Sequence, residues 1–283
     1  MNEEMSKGKK HLILGHPVLF GIVLICLGTL ACDFLATLIV KNVNAMLALN
    51  LPLEDKNAWR DFSSAVIRIL FSCFLVFCMK KSYGKNFSMG FTNERFKKSM
   101  LIGMPILFMA LSNIPEYLLK GGTVKSGWML ALGILAGFAP GFYEEIVVRG
   151  TILSNMMIQW KDKKNVIYNS MIISSVIFGL VHLMNLSHSS IPETLYQVAY
   201  ACGIGFIFAA VYLRTRNIVA PIAYHALVDI LADIFALPAN APDTILFSDI
   251  VAVIITVGGT ILGFYLVRKE KHQEIKELWN LNI

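Results

Sequence analysis

From Pro17 to Val267 the chain is a succession of long apolar blocks separated by short charged stretches. A block of about twenty residues fits one helix crossing a hydrocarbon core about 30 Å thick, at about 1.5 Å per residue. Eight blocks read as candidate spans, at 17–40, 61–79, 99–118, 127–158, 166–186, 194–213, 218–237 and 246–267. Charged residues make up 16% of the chain, against about one quarter in a soluble protein. The expected fold is therefore all-α: a polytopic bundle of about eight transmembrane helices, with residues 1–283 as a single membrane domain. The fourth block is too long for one upright span, and Pro140-Gly141 is the place for a kink or break.

The net charge of +6 does not point to nucleic acid, because the basic residues sit between apolar blocks, where they set orientation. One set of loops carries Lys7, Lys9, Lys10, Lys80, Lys81, Lys85, Arg95, Lys97, Lys98, Lys161, Lys163, Lys164, Arg214, Arg216, Arg268, Lys269, Lys271 and Lys276. The other set has only Lys41, Lys56, Arg60, Lys120 and Lys125. This asymmetry predicts both termini in the cytoplasm and an even number of spans, with exterior loops near Leu51–Asp61 and Pro238–Thr244. Lys7, Lys9 and Lys10 before an apolar run imitate a signal peptide, but the run continues past Asp33 to Val40, so an uncleaved first helix is expected. Cys26, Cys32, Cys73, Cys78 and Cys202 are odd in number and lie within apolar blocks, as small apolar fillers rather than a disulfide framework.

Inside the fourth block stands Gly141-Phe-Tyr-Glu-Glu-Ile-Val-Val-Arg-Gly150. A charge at bilayer depth costs about 2.5–3.5 kcal/mol on insertion scales, so three together demand pairing, a wet cavity, or both. Glu145 and Arg149 are four apart, one turn along one helix face, and an internal ion pair follows. Glu144 is rotated about 100° from Glu145 and faces a different neighbour. Two later stretches answer these charges: Phe178-xxx-His182 and His225-xxx-Asp229. Phe178 can pack its ring against the His182 imidazole, and His225 and Asp229 share a face. Together with Glu144 they supply a base, imidazoles, and an oxyanion-binding or metal-binding group. Asp33, Glu116 and Asp233 lie near span ends and read as structural. Arg68 can snorkel to the interface. His188 reads as a loop residue, and Asn185 and Tyr143 as groups supporting the site.

These three stretches, over about residues 128–236, resemble the family of CAAX-prenyl proteases and bacteriocin-processing enzymes, also called CPBP or Abi intramembrane peptidases. Each motif is short; their order and their placement in three membrane helices carry the resemblance. It implies peptide-bond hydrolysis within or at the edge of the membrane. Glu144 would activate a water with His182, and His225 and Asp229 would stabilise the oxyanion. Glu145 and Arg149 would hold the site together. Asp229 departs from the Asn common at that position, and an ionised Asp would repel an oxyanion. Protonated, it could donate; ionised, it could orient His225 or bind a metal.

The expectation is an intramembrane endopeptidase with a cavity between the fourth, fifth and seventh helices, reached by water from the cytoplasmic side. Its partners would be the bilayer and a peptide or membrane-anchored protein, in a bacterial plasma membrane. Alternatives are a non-catalytic immunity or scaffold protein keeping the same fold, and an ion-coupled transporter. Glu144, His182, His225 and Asp229 are chemically adequate zinc ligands, yet no single helix offers the two histidines of a zincin. No cofactor is expected, with zinc as the alternative. Counting along the helices puts Glu144 and His182 deep, roughly 20–25 Å, and His225 shallower, at about 10 Å.

Overall fold

The computed structural model describes residues 15–47, 52–84, 87–238 and 246–281. Lys7, Lys9, Lys10 and Lys85, and most of the expected loop at Pro238–Thr244, lie outside these. Helix α1 (Pro17–Met46) and helix α2 (Leu53–Tyr83) pair with each other. Helix α2 begins within the stretch expected to be an exterior loop. Next come α3 (Phe96–Gly103) and α4 (Pro105–Leu119), which replace one straight third span by a bent pair. Pro105 opens α4, where the missing N–H and fixed φ suit a first helical position.

Helix α5 (Gly127–Glu145) runs on through a π-helical segment (Ile146–Leu153) into α6 (Ser154–Gln159). The expected break at Pro140 does not occur: Gly127–Gln159 is one long span. The irregularity lies instead just past the carboxylates. There the Thr151 and Ser154 hydroxyls donate to carbonyls five residues back, on Ile146 (3.0 Å) and Arg149 (3.1 Å). Such bonds suit the wider turn of a π-helix, which tends to sit at functional places.

Helix α7 (Val166–Val181) tightens into a 3-10 segment (His182–Ser187). Ser190 then opens α8 (Ile191–Thr215) with a capping box to Glu193. Helix α9 (Val219–Asp233), α10 (Leu246–Leu266) and the short α11 (His272–Leu278) complete the chain. Two strands of two residues each, β1 (Thr123–Val124) and β2 (Phe235–Ala236), form an antiparallel ladder that ties the α4–α5 connection to the end of α9. Among the described residues, this ladder is the one departure from an all-α reading.

Among the described residues, five helices are long and apolar enough to cross a membrane, and two bent pairs raise the number to seven. The chain is a multi-pass membrane protein. The seventh expected span, 218–237, is α9, which at 15 residues or about 22 Å is not among those helices. It is short because it is interior: Ala220, Pro221, Ile222, Tyr224, His225 and Ala226 are buried. A helix walled by protein does not have to match the bilayer.

Two features place α9. Its entry is fixed by Asn217, which is fully buried and donates to the carbonyls of Thr92 (2.7 Å) and Glu94 (3.1 Å). The Asn217 side-chain oxygen accepts from the N–H of Val219 at 3.1 Å. Further along, α9 lies antiparallel on a glycine stripe of α5. Gly141 meets Ala226, Gly137 meets Asp229 and Ile230, and Gly133 meets Asp233. A Cβ on Gly141 would fall 2.6 Å from the Ala226 nitrogen, so only glycine lets the backbones come this close.

At the end carrying most of the basic loops, α11 straps α8. Trp279 donates to the Leu213 carbonyl at 3.0 Å, and Glu274 binds both Lys98 and Arg214. The Lys98 hydrogen bond, helped by Arg214, holds the Glu274 carboxyl below the usual carboxylate range.

Candidate active site

The two adjacent carboxylates at the end of α5 face different surroundings. Glu145 points into the packed interior, and its side chain is 0% exposed. One of its oxygens, Oε1, accepts from Arg149 Nη1 at 2.9 Å and also lies 2.9 Å from His225 Nδ1. Arg149 in turn donates from Nη2 to the Gly205 carbonyl at 3.0 Å. The ion pair expected from the spacing is in place. The spacing did not reveal that the same carboxylate also holds His225.

Two aromatic rings close this buried group. The Arg149 guanidinium lies over the Phe178 ring at 4.6 Å and the Phe208 ring at 5.2 Å. His225 stacks on Phe208, with centroids 5.2 Å apart, and meets Phe178 edge-on at 5.6 Å. Phe178 also meets His182 edge-on, at 5.4 Å and 89°, rather than along its face as expected. Phe208, from α8, was missed, because a phenylalanine in an apolar span has nothing to distinguish it.

Glu144 turns the other way and lines a cavity of about 680 Å³. His182, His225 and Asp229 line the same cavity. The His225 Nε2 atom lies 3.7 Å from Glu144 Oε2 and 3.7 Å from Asp229 Oδ2. His182 has its Nδ1 committed to the Phe178 carbonyl at 3.0 Å, so that Nδ1 donates and the far nitrogen is left as an acceptor in the neutral ring. The three expected stretches therefore converge, and the apparent difference in depth between Glu144 and His225 vanishes. It arose from counting α9 from a loop at the membrane surface, whereas α9 starts on the buried Asn217.

The walls extend beyond the three expected helices. Thr29 and Asp33 come from α1, Arg68 from α2, Met109 from α4, and Gln197, Tyr200 and Ile204 from α8. Arg68 does not snorkel: it bonds Asp33 at 2.9 Å, and Ser64 donates to the same carboxylate. Tyr143 is tied to Thr29 at 3.3 Å, and Asn185 donates to Gln197 at 2.7 Å. His188 is a cavity wall as well as an exposed loop residue.

A second cavity of about 720 Å³ shares Asp33, Arg68, Pro140, Ser187, His188 and Asp233 with the first. Thr37, Arg60 and Asp61 extend it toward the bundle end that carries the β1–β2 ladder. This polar path lies at the end opposite the strap and the basic loops around Lys98 and Arg214.

Among the described residues, no group of three or more His, Cys, Asp or Glu side chains is arranged to hold a metal ion. The four residues named as the alternative zinc ligands share a cavity but do not form such a group.

The geometry is a water-accessible carboxylate flanked by imidazoles, backed by a dry, paired carboxylate. Residues 126–231 match the family model described as Rce1-like, type II CAAX prenyl endopeptidase Rce1-like. This segment is similar to that family of CAAX-type peptidases. It holds α5, α7, α8 and nearly all of α9, and with them Glu144, Glu145, Arg149, Phe178, His182, His225 and Asp229. No curated protein and no solved structure matches the chain.

Proposed function

We propose that the protein is an intramembrane endopeptidase in which Glu144 activates water. The observation that carries this reading is the difference between the two neighbouring carboxylates. Glu144 is 19% exposed into a cavity it shares with His182, His225 and Asp229, while Glu145 is sealed and paired. Glu144 takes a proton from a water that His182 helps to hold. The resulting hydroxide attacks the scissile carbonyl, and the oxyanion forms on the His225 side. Collapse of the tetrahedral species breaks the C–N bond, and Glu144 returns its proton to the leaving amine. Glu145 keeps His225 in place through Nδ1, with Arg149 neutralising the buried charge. No metal enters this scheme.

The family description suggests prenylated CAAX peptides as the first substrates to try. Wild-type protein in membranes should cleave such a peptide, or release peptides from membrane proteins detectable by mass spectrometry. Glu144→Gln keeps the shape and removes the base, and should abolish cleavage. His182→Ala and His225→Ala should each lower it by about 10²–10⁴-fold without loss of membrane insertion. Turnover by Glu144→Gln at the wild-type rate would defeat the Glu144 mechanism, and no cleavage by the wild type would leave the scaffold or transporter readings standing. The same assay after chelation should keep its activity. Loss on chelation and return with zinc would replace this scheme with a metallopeptidase.

A further inference from the structure

The scheme above leaves open which groups receive the negative charge of the tetrahedral species, and the cavity walls supply few. Glu144 is spent on the proton. Asp229 faces the cavity with a carboxyl group that, when ionised, has no proton to offer. His225 has one nitrogen bound to Glu145, and its Nε2 is flanked by two carboxylates at 3.7 Å. His182 has one nitrogen spent on the Phe178 carbonyl. A neutral donor on another wall is what the site lacks.

Helix α8 offers one. Gln197, Tyr200, Ala201 and Ile204 line the cavity at the i, i+3, i+4, i+7 spacing of a single helix face. The Tyr200 side chain lines the same cavity as Asp229 and Glu144, one turn along α8 from Gln197. The bonding order along this wall is directional. Asn185 Nδ2 donates to Gln197 Oε1 at 2.7 Å, which turns the Gln197 amide N–H groups, as donors, to the other side of the carboxamide. A Tyr200 hydroxyl that accepts from such a donor keeps its own proton to donate. The Tyr196 ring, edge-on at 6.0 Å, braces the phenol from one turn before.

We propose that Tyr200 is a catalytic residue that donates its O–H to the developing oxyanion, opposite His225, with Asn185 and Gln197 setting the direction of that donation. This rests on the peptidase reading above. A phenol suits the task beside two carboxylates, since it donates while neutral and adds no charge to the pocket.

The test compares wild type, Glu144→Gln and Tyr200→Phe on one peptide that the wild type cleaves, in the same vesicles. Tyr200→Phe should melt at the wild-type temperature and keep its KM, while kcat falls about 10²–10³-fold, the usual loss for one oxyanion donor. A double-mutant comparison separates this role from packing. In an Asp229→Asn background the new amide supplies a donor, so the same Tyr200→Phe change should cost at least tenfold less than in wild type. Wild-type kcat in Tyr200→Phe, or an equal loss in both backgrounds, would overturn the assignment while leaving the peptidase reading intact. If wild-type protein cleaves nothing and Glu144→Gln behaves identically, the peptidase reading falls and this assignment with it.

Discussion

Glu145 carries two partners on one oxygen, and the consequences differ by which partner is removed. Arg149→Ala leaves a carboxylate sealed at membrane depth with only an imidazole beside it. Breaking a buried pair in this way costs about 3–5 kcal/mol, so the variant should give a low folded yield and a depressed melting temperature in detergent. His225→Ala leaves the ion pair intact and should melt close to wild type while losing activity. A comparison of the two melting curves checks the division between support and chemistry. Equal destabilisation would mean that His225 also holds the buried carboxylate in place. At this scale the sequence was legible where spacing is local. Glu145 and Arg149 are one turn apart on one helix, so their pairing needed no knowledge of the fold. The Glu145–His225 bond joins α5 to α9, and nothing in either helix alone states their register. Tyr200 and Phe208 were missed for the same reason, although Gln197, Tyr200, Ala201 and Ile204 do form a readable face.

At the scale of elements, the site depends on how closely α9 can approach α5. Gly133, Gly137 and Gly141 recur every four residues, a pattern that marks a neighbouring backbone in close contact, and its partner is α9. Gly141→Ala puts a methyl group 2.6 Å from the Ala226 nitrogen, one residue from His225. Overpacking of this kind costs about 1–3 kcal/mol. It should also move His225 away from Glu144, so activity should fall further than stability. Gly258→Ala, on α10 with nothing within 4 Å of its new methyl, is the matched control and should be neutral in both assays. Parallel melting and cleavage measurements decide the point, and a fully active Gly141→Ala would show that the close approach is not required. The count of about eight spans takes in α9, which is shorter than the helices long enough to cross a membrane. Hydropathy registers apolar length, and an interior helix is apolar without having to reach either surface.

Across the whole molecule, one end carries the α11 strap and most of the basic residues, and the other carries the polar path to Glu144. If the basic end is cytoplasmic, as loop charge argues, the path opens to the exterior. A cysteine introduced at Thr37, on the second cavity's wall, should then react with a membrane-impermeant thiol reagent added outside intact cells, above the background of the parent protein. Reaction only after the cells are opened would reverse the orientation. The first 125 residues, which resemble nothing beyond apolar helices in sequence, supply a wall of the cavity through Thr29, Asp33 and Arg68.

The shortness of α9 has a consequence for how the protein meets lipid. Changes in membrane thickness press on helices that face acyl chains, such as α1 with its exposed Leu27, Leu30 and Phe34. Helix α9 is sheltered, anchored at its start by Asn217 and along its length by the α5 glycines. A change in bilayer thickness therefore bears on α1 directly, and reaches His225 and Asp229 only through the helices packed around α9.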